Sequence, residues 1–302
     1  GREELIAVNG EGKELWRWRT KGRFMTYPAV CACEKRLPLI FAADNTGLFS
    51  CIDGAGKEVW HAQLTGPSTW AAAMVCDLNA DGAPEVLQTD EPGTVWAFDA
   101  ATGKVFWKTQ VAGAPVSPAV GDLNGDGQSE VAVTTGSGKL FVLGSEGKEL
   151  WQAALGGTSQ TWGTASPVIF GVSDGQARVS AIASGGRLHC FDGAGKECWN
   201  ATLRGAASST ISVGDYDLDG RADLFCVTQT GVIYRFDEDG KRLWEIDMQG
   251  RCLAPGAIID INNDGQKEYV LCAQDGHLMV LDNEGKFILE KQFPHRTINV
   301  TP

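Results

Sequence analysis

The sequence has no uninterrupted apolar run of roughly 18 residues, which excludes a membrane-spanning helix. Its nine cysteines include no CxxC pair, so neither a zinc ribbon nor a thioredoxin-type redox motif is present. Basic residues are scarce, 26 Lys and Arg against 38 Asp and Glu, and the net charge of -12 repels a nucleic-acid backbone or an anionic membrane surface. Only four histidines occur, His61, His189, His277 and His295, none at metal-pair spacing, and there is no Gly-x-Ser-x-Gly elbow. A hydrolase triad is therefore unsupported. Asp90 and Glu91 are the nearest candidates for a glycosidase carboxylate pair and read instead as a turn. No segment has a helical hydrophobic period, and Gly1 to Glu4 do not form a signal peptide, so the expectation is a mature extracellular or periplasmic chain.

What is abundant is glycine, 38 residues, much of it in Asp-Gly and Glu-Gly turn signals that point to an all-β chain. One pattern recurs throughout: Gly-Lys, two residues, then Trp. The glycines are Gly12, Gly56, Gly103, Gly147, Gly195, Gly240 and Gly285, spaced 44, 47, 44, 48, 45 and 45 residues apart. The matching large residues are Trp16, Trp60, Trp107, Trp151, Trp199, Trp244 and, in the last repeat, Leu289. That period is the length of a four-stranded propeller blade. A large flat side chain at one fixed place per blade suits the wedge between neighbouring blades.

The expected fold is a seven-bladed β-propeller, with six or eight blades as alternatives. Its repeats run approximately 21–65, 66–112, 113–156, 157–204, 205–249 and 250–293. A composite blade of 1–20 and 294–302 closes the ring by pairing the N- and C-terminal strands, which removes exposed sheet edges. In the repeat 115–155 the strands are expected at Pro115–Asp122, Ser129–Thr135, Lys139–Leu143 and Glu149–Ala153.

Four repeats carry a nine-residue acidic signature: Asp at one, Asn or Asp at three, Asp at five, Gly at six and an acid at nine. The sets are Asp77, Asn79, Asp81 and Glu85; Asp122, Asn124, Asp126 and Glu130; Asp215, Asp217, Asp219 and Asp223; and Asp260, Asn262, Asp264 and Glu268. The carbonyls at position seven, of Ala83, Gln128, Arg221 and Gln266, add a further oxygen. Alternating oxygen side chains around a sharp glycine turn wrap one hard cation, and six to eight oxygens suit Ca²⁺ over Mg²⁺. The expectation is up to four calcium sites and no organic cofactor. Repeats with 31–38 and 170–178 at this position lack the signature and are expected to be metal-free.

These loops resemble the FG-GAP calcium repeats of integrin α-subunit propellers, which implies a structural calcium on the face opposite the usual ligand face. The run Ala97-Phe98-Asp99-Ala100-Ala101-Thr102-Gly103-Lys104-Val105-Phe106-Trp107 resembles the tryptophan-docking repeat of PQQ-dependent dehydrogenases and of the outer-membrane assembly lipoprotein propeller. Quinoprotein catalysis would call for adjacent cysteines, and none occur.

Trp70, Trp162 and Tyr27 fall outside the repeat near innermost strands and are the candidate ligand platforms, flat surfaces for sugar rings or a partner's side chains. His189 and His277 read as residues just after the turn between second and third strands, and Cys190 and Cys198 as facing across a hairpin. Together these features point to a calcium-stabilised binding or scaffold module for a carbohydrate or protein partner, without nucleic acid or membrane insertion. A polysaccharide-active enzyme such as a lyase is the alternative.

Overall fold

A computed structural model of the chain describes residues 2–32, 37–68, 71–156, 165–206, 210–248, 256–273 and 275–293. Those residues form strands and turns with no helix. The chain opens with an antiparallel pair, β1 (Arg2–Val8) and β2 (Glu14–Phe24). Six four-stranded sheets follow, each a meander of consecutive strands. They are Ala29–Cys31, Leu39–Ala43, Leu48–Asp53 and Glu58–Gln63 (β3–β6); Met74–Cys76, Glu85–Thr89, Thr94–Asp99 and Val105–Gln110 (β7–β10); and Ala119–Gly121, Glu130–Thr135, Lys139–Leu143 and Glu149–Ala154 (β11–β14). The other three are Val168–Gly171, Ala177–Ile182, Arg187–Asp192 and Glu197–Thr202 (β15–β18); Ser212–Gly214, Asp223–Val227, Val232–Asp237 and Arg242–Asp247 (β19–β22); and Ala257–Ile259, Glu268–Cys272, His277–Leu281 and Phe287–Gln292 (β23–β26).

The second and third strands of each sheet are buried on both faces, which is why they read as near-continuous apolar runs. Fourth strands other than Phe287–Gln292, which is exposed throughout, alternate exposed and half-buried residues, as Glu58–Gln63 and Glu149–Ala154 do. First strands are shorter than their sequences suggest. The expected strand Pro115–Asp122 is confined to Ala119–Gly121, because Pro115 and Pro118 have no N–H to give the ladder. β2 runs four residues beyond the expected repeat boundary at Thr20, to Phe24, and the C-terminal half of the expected composite blade lies outside the described residues.

The chain divides into two compact units. One comprises Gly1–Val120, Gly127–Ser137 and Phe141–Leu150; its core includes Phe41, Phe49, Phe98, Leu87, Val131 and Leu143. The other comprises Gly121–Asp126, Gly138–Leu140 and Trp151–Pro302; its core includes Ile182, Leu188, Tyr234, Phe225 and Tyr269.

Within each unit the repeated tryptophans lock one sheet to the next. In the first unit, Trp16 Nε1 donates to Gly54 O at 2.9 Å, Trp60 Nε1 to Ala100 O at 3.0 Å and Trp107 Nε1 to Ser145 O at 2.7 Å. In the second, Trp151 donates to Gly193 O at 3.0 Å, Trp199 to Glu238 O at 2.9 Å and Trp244 to Asn283 O at 3.4 Å. Each ring lies flat on the repeat glycine of the hairpin it reaches. A Cβ at Gly103 would stand 2.5 Å from the Trp60 ring, and one at Gly240 would stand 2.4 Å from Trp199. These glycines also hold positive φ, 71° and 81°, so the turn and the close approach both require glycine. Leu289, which stands in the tryptophan place of the last repeat, is exposed on a strand with no buried residue.

Candidate metal-binding loops

Each acidic signature forms the turn between the first and second strands of its sheet, and the wiring repeats. In the first loop the Asp77 carboxylate accepts from Asp81 N at 3.1 Å and Gly82 N at 2.8 Å, and Asp81 accepts from Ala83 N at 2.7 Å. Asn79 Oδ1 accepts from Asp81 N at 3.1 Å. In the fourth, Asp260 accepts from Asp264 N at 3.2 Å and Gly265 N at 3.0 Å, and Asp264 from Gln266 N at 2.8 Å. In the second, Asp122 accepts from Gly125 N at 2.7 Å and Asp126 N at 3.2 Å. The glycine at position six has φ of 84–86° in the last three loops and 85° in the first, and position four is left-handed too, at Ala80, Gly125, Leu218 and Asn263. Two left-handed residues curl the loop tightly back on its own backbone.

The acid at position nine anchors the loop from the second strand. Glu85 Oε2 accepts from Leu78 N at 2.9 Å, and Glu268 Oε2 from Ile261 N at 2.9 Å. Burial pushes the Glu85 carboxyl above its ordinary range; the Leu78 N–H opposes this, and the charges of Asp81 and Asp77 add to it. The Ala83 N–H and the Asn79 amide hold Asp81 below its usual value.

The third loop is built differently. Gly220 N donates to Asp215 at 3.1 Å and Arg221 N to Asp219 at 2.8 Å, as in the other loops. Here, however, the buried Arg235 guanidinium on β21 reaches in. Its Nε lies 2.8 Å from Asp223 Oδ1, and its Nη2 lies 3.0 Å from Asp223 Oδ2 and 2.5 Å from Asp217 Oδ2. Tyr216 N also donates to Asp223 Oδ2, at 3.0 Å, and the guanidinium stands 5.0 Å from the Tyr216 ring centre. Burial works against the charge on Arg235, and Asp223 and Asp217 outweigh it, raising its pKa. Oxygens of Asp215, Asp217 and Asp219 lie within 4.8 Å of one another. Asp215 Oδ1 and Asp217 Oδ1 are buried atoms that accept no hydrogen bond from the described residues. All-oxygen donors, converged and with oxygens to spare, fit a hard divalent cation.

Among the described residues, His189 and the buried cysteines contribute packing. His189 is buried, with Nδ1 2.7 Å from Glu197, Nε2 2.9 Å from Leu155 O and its ring stacked on Phe191. It does not align with His277 as expected: Arg187 opens β17 where His277 opens β25, and His189 lies two residues further along. Cys190 is opposite Trp199, not Cys198, because a bulge shifts the register beside it; both are thiols, and burial pushes Cys190 up to about 12. Burial, with the charges of Glu85 and Asp77, likewise pushes Cys76 up to about 12, which keeps it unreactive. Of the three aromatic platforms, Tyr27 is 59% exposed, beside exposed Met25 and Val30. Trp70 and Trp162 lie outside the described residues.

A family model described as outer membrane protein assembly factor BamB matches residues 1–165 and 147–300. The chain belongs to that BamB family. A BamB from Yersinia pestis is 32% identical over 120 residues, 37% of this chain and 29% of that protein, so the chain matches less than a third of that relative's length. BamB from Moraxella catarrhalis superposes with a TM-score of 0.70 at 16% identity, over 99% of this chain and 83% of that one. The computationally designed Ika8 protein gives 0.70 at 14% identity, over 100% and 88%. At such identities the structural likenesses establish the fold, an all-β propeller, and nothing more. The BamB match bears out the tryptophan-docking resemblance.

Two residues that matter in this BamB-family chain escaped sequence reasoning. Arg235 is one; its signal is a lone arginine in the buried strand Val232–Asp237, at the place held by Ala97, Val142 and Val280 in the other loop-bearing repeats. Glu238 is the other. It is buried and accepts from Ser173 N at 3.1 Å, Ser173 Oγ, Ala222 N at 3.2 Å and Arg221 Nε at 3.2 Å. Burial opposes its ionisation, and these donors outweigh it and hold its pKa low. Glu238 thus ties down the turn at Ser173, in a repeat without the acidic signature.

Proposed function

We propose that the chain is a propeller scaffold that binds a protein partner in outer-membrane protein assembly, on the periplasmic side of that membrane. The family match, which reaches from residue 1 to residue 300, carries this reading. The exposed side chains of Met25, Tyr27 and Val30 are the apolar surface on which such a partner docks. Seven blades, closed by pairing the terminal strands, are part of the same proposal. Deleting the protein from its own cells is expected to lower β-barrel proteins in the outer membrane several-fold; unchanged levels would overturn the reading. A parallel polysaccharide panel gives neither retention nor ultraviolet absorbance from unsaturated products if the partner is a protein. Retention, or product, would move the assignment to carbohydrate binding or to a lyase.

The acidic loops are proposed to hold calcium as a structural ion, through Asp77, Asn79, Asp81 and Glu85 and their counterparts. An ion bound only to the folded chain stabilises it by RT ln(1 + [Ca²⁺]/Kd), about 2.7 kcal/mol per site at one hundred times Kd. Melting in calcium is expected several degrees above melting in EGTA. Coincident curves, with no calcium by elemental analysis, would sink the metal assignment.

A further inference from the structure

We infer that the third acidic loop carries its own resident cation, Arg235, and so keeps its structure when metal is withdrawn, unlike the first and the fourth. This rests on the calcium reading of the loops and deepens it.

Three differences occur together at this loop. Position three is Asp217 where the other loops have Asn79, Asn124 and Asn262; position nine is Asp223 where they have glutamate; and the β21 site is Arg235 where they have Ala97, Val142 and Val280. The changes compensate one another. Asparagine to aspartate adds a negative charge, and the guanidinium removes it. Aspartate is one methylene shorter than glutamate, which leaves room between Asp223 and β21 for the guanidinium plane. The fork grips both Asp223 oxygens while Nη2 reaches Asp217 and Nη1 donates to Asn283 O at 2.9 Å. Tyr216, where the other loops have Leu78, Leu123 and Ile261, places its ring against the guanidinium and ties its hydroxyl to Leu281 O at 2.8 Å.

An arginine is held covalently at unit occupancy, whereas an ion obeys mass action. At Asp77, Asp81 and Glu85, and at Asp260, Asp264 and Glu268, no ion pair occurs among the described residues. In those loops the carboxylates are held together by backbone N–H groups, and an ion is what relieves their mutual repulsion. In the third loop Arg235 already engages two of the four carboxylates. Asp215 Oδ1 and Asp217 Oδ1 still offer oxygens, so an ion there adds to a structure that does not depend on it.

The test is hydrogen exchange read by mass spectrometry on wild type, Arg235→Val and Arg235→Lys, each in calcium and in EGTA. In wild type, chelation is expected to lower protection about tenfold or more over 77–85 and 260–268, and to leave 215–223 unchanged. In Arg235→Val, the residue found at two of the equivalent sites, 215–223 becomes calcium-dependent like the rest; Arg235→Lys, with the charge but not the fork, falls between. Loss of protection over 215–223 in chelated wild type overturns the inference whatever the variants do. If no loop responds to calcium in any protein, the calcium reading fails. The resident cation then stands only if Arg235→Val still deprotects 215–223 in both buffers, and it falls if that segment is unchanged.

Discussion

Replacing Trp60 by alanine is expected to cost about 3–5 kcal/mol, the range for deleting a large aromatic from a packed site. Its ring centre lies 5.8 Å from Phe41, 5.6 Å from Phe49 and 5.9 Å from Phe98, so three other aromatics lose a neighbour at once. The indole N–H bond to Ala100 O at 3.0 Å is lost too. Guanidinium unfolding should show a lowered midpoint with an unchanged slope. Trp60→Phe separates the two contributions: it keeps most of the apolar contact, loses the donor and should cost about 1–2 kcal/mol. Gly103→Ala probes the other side of the junction, where a methyl group would meet the same ring at 2.5 Å. A Trp60→Ala midpoint equal to wild type would mean that the repeat marks the sheets without holding them.

Asp90→Ala should be nearly as damaging, about 3–5 kcal/mol, for a different reason: it leaves several buried donors unmet at once. Asp90 is 1% exposed and no lysine or arginine pairs with it among the described residues. Its charge is met by Thr65 N at 3.1 Å, Thr65 Oγ1 at 2.5 Å, Thr94 N at 2.9 Å and Trp96 Nε1 at 2.9 Å. Alanine strands these donors in the interior, where each unmet group costs about 1–3 kcal/mol. Asp90→Asn retains one acceptor oxygen and should cost about half as much. Urea unfolding of the two variants gives the comparison; equal losses would show that shape, not hydrogen bonding, fixes the corner.

The parts of this protein that repeat were legible, and those that occur once were not. Trp60 could be read as a wedge between blades because the Gly-Lys and Trp pattern recurs along the chain at blade spacing, whereas its seat on Gly103 of the next hairpin is a property of the folded chain. The loops at Asp77 and Asp260 were legible for the same reason, since each position has a fixed acceptor role in closing the turn. Arg235 was not, because an arginine in a strand reads as a surface residue until its partners in a loop about 12 to 18 residues upstream are known. Glu238 hid inside an Asp-Gly hairpin, and its partner Ser173 is 65 residues away. Asp90 was read as part of a turn, which it is; Glu91 and Pro92 at its tip are exposed, and the burial of the Asp90 carboxylate beneath them is a property of the neighbouring sheet. His189 was misplaced because both histidines follow a glycine turn closely; the two turns are equally long, but His189 lies two residues further into its strand than His277.

The indole-to-hairpin contact has a direction: each of the five sheets from β3 to β22 gives a ring to its successor and takes one from its predecessor, so donor and acceptor surfaces are different patches of a repeated part. Contacts of that head-to-tail kind do not terminate themselves as two-fold contacts do. In a folded monomer, covalent order decides which hairpin receives which ring. When one junction opens, the freed indole is complementary to the same hairpin of any other copy, and the partially unfolded chain is equipped for strand exchange between molecules.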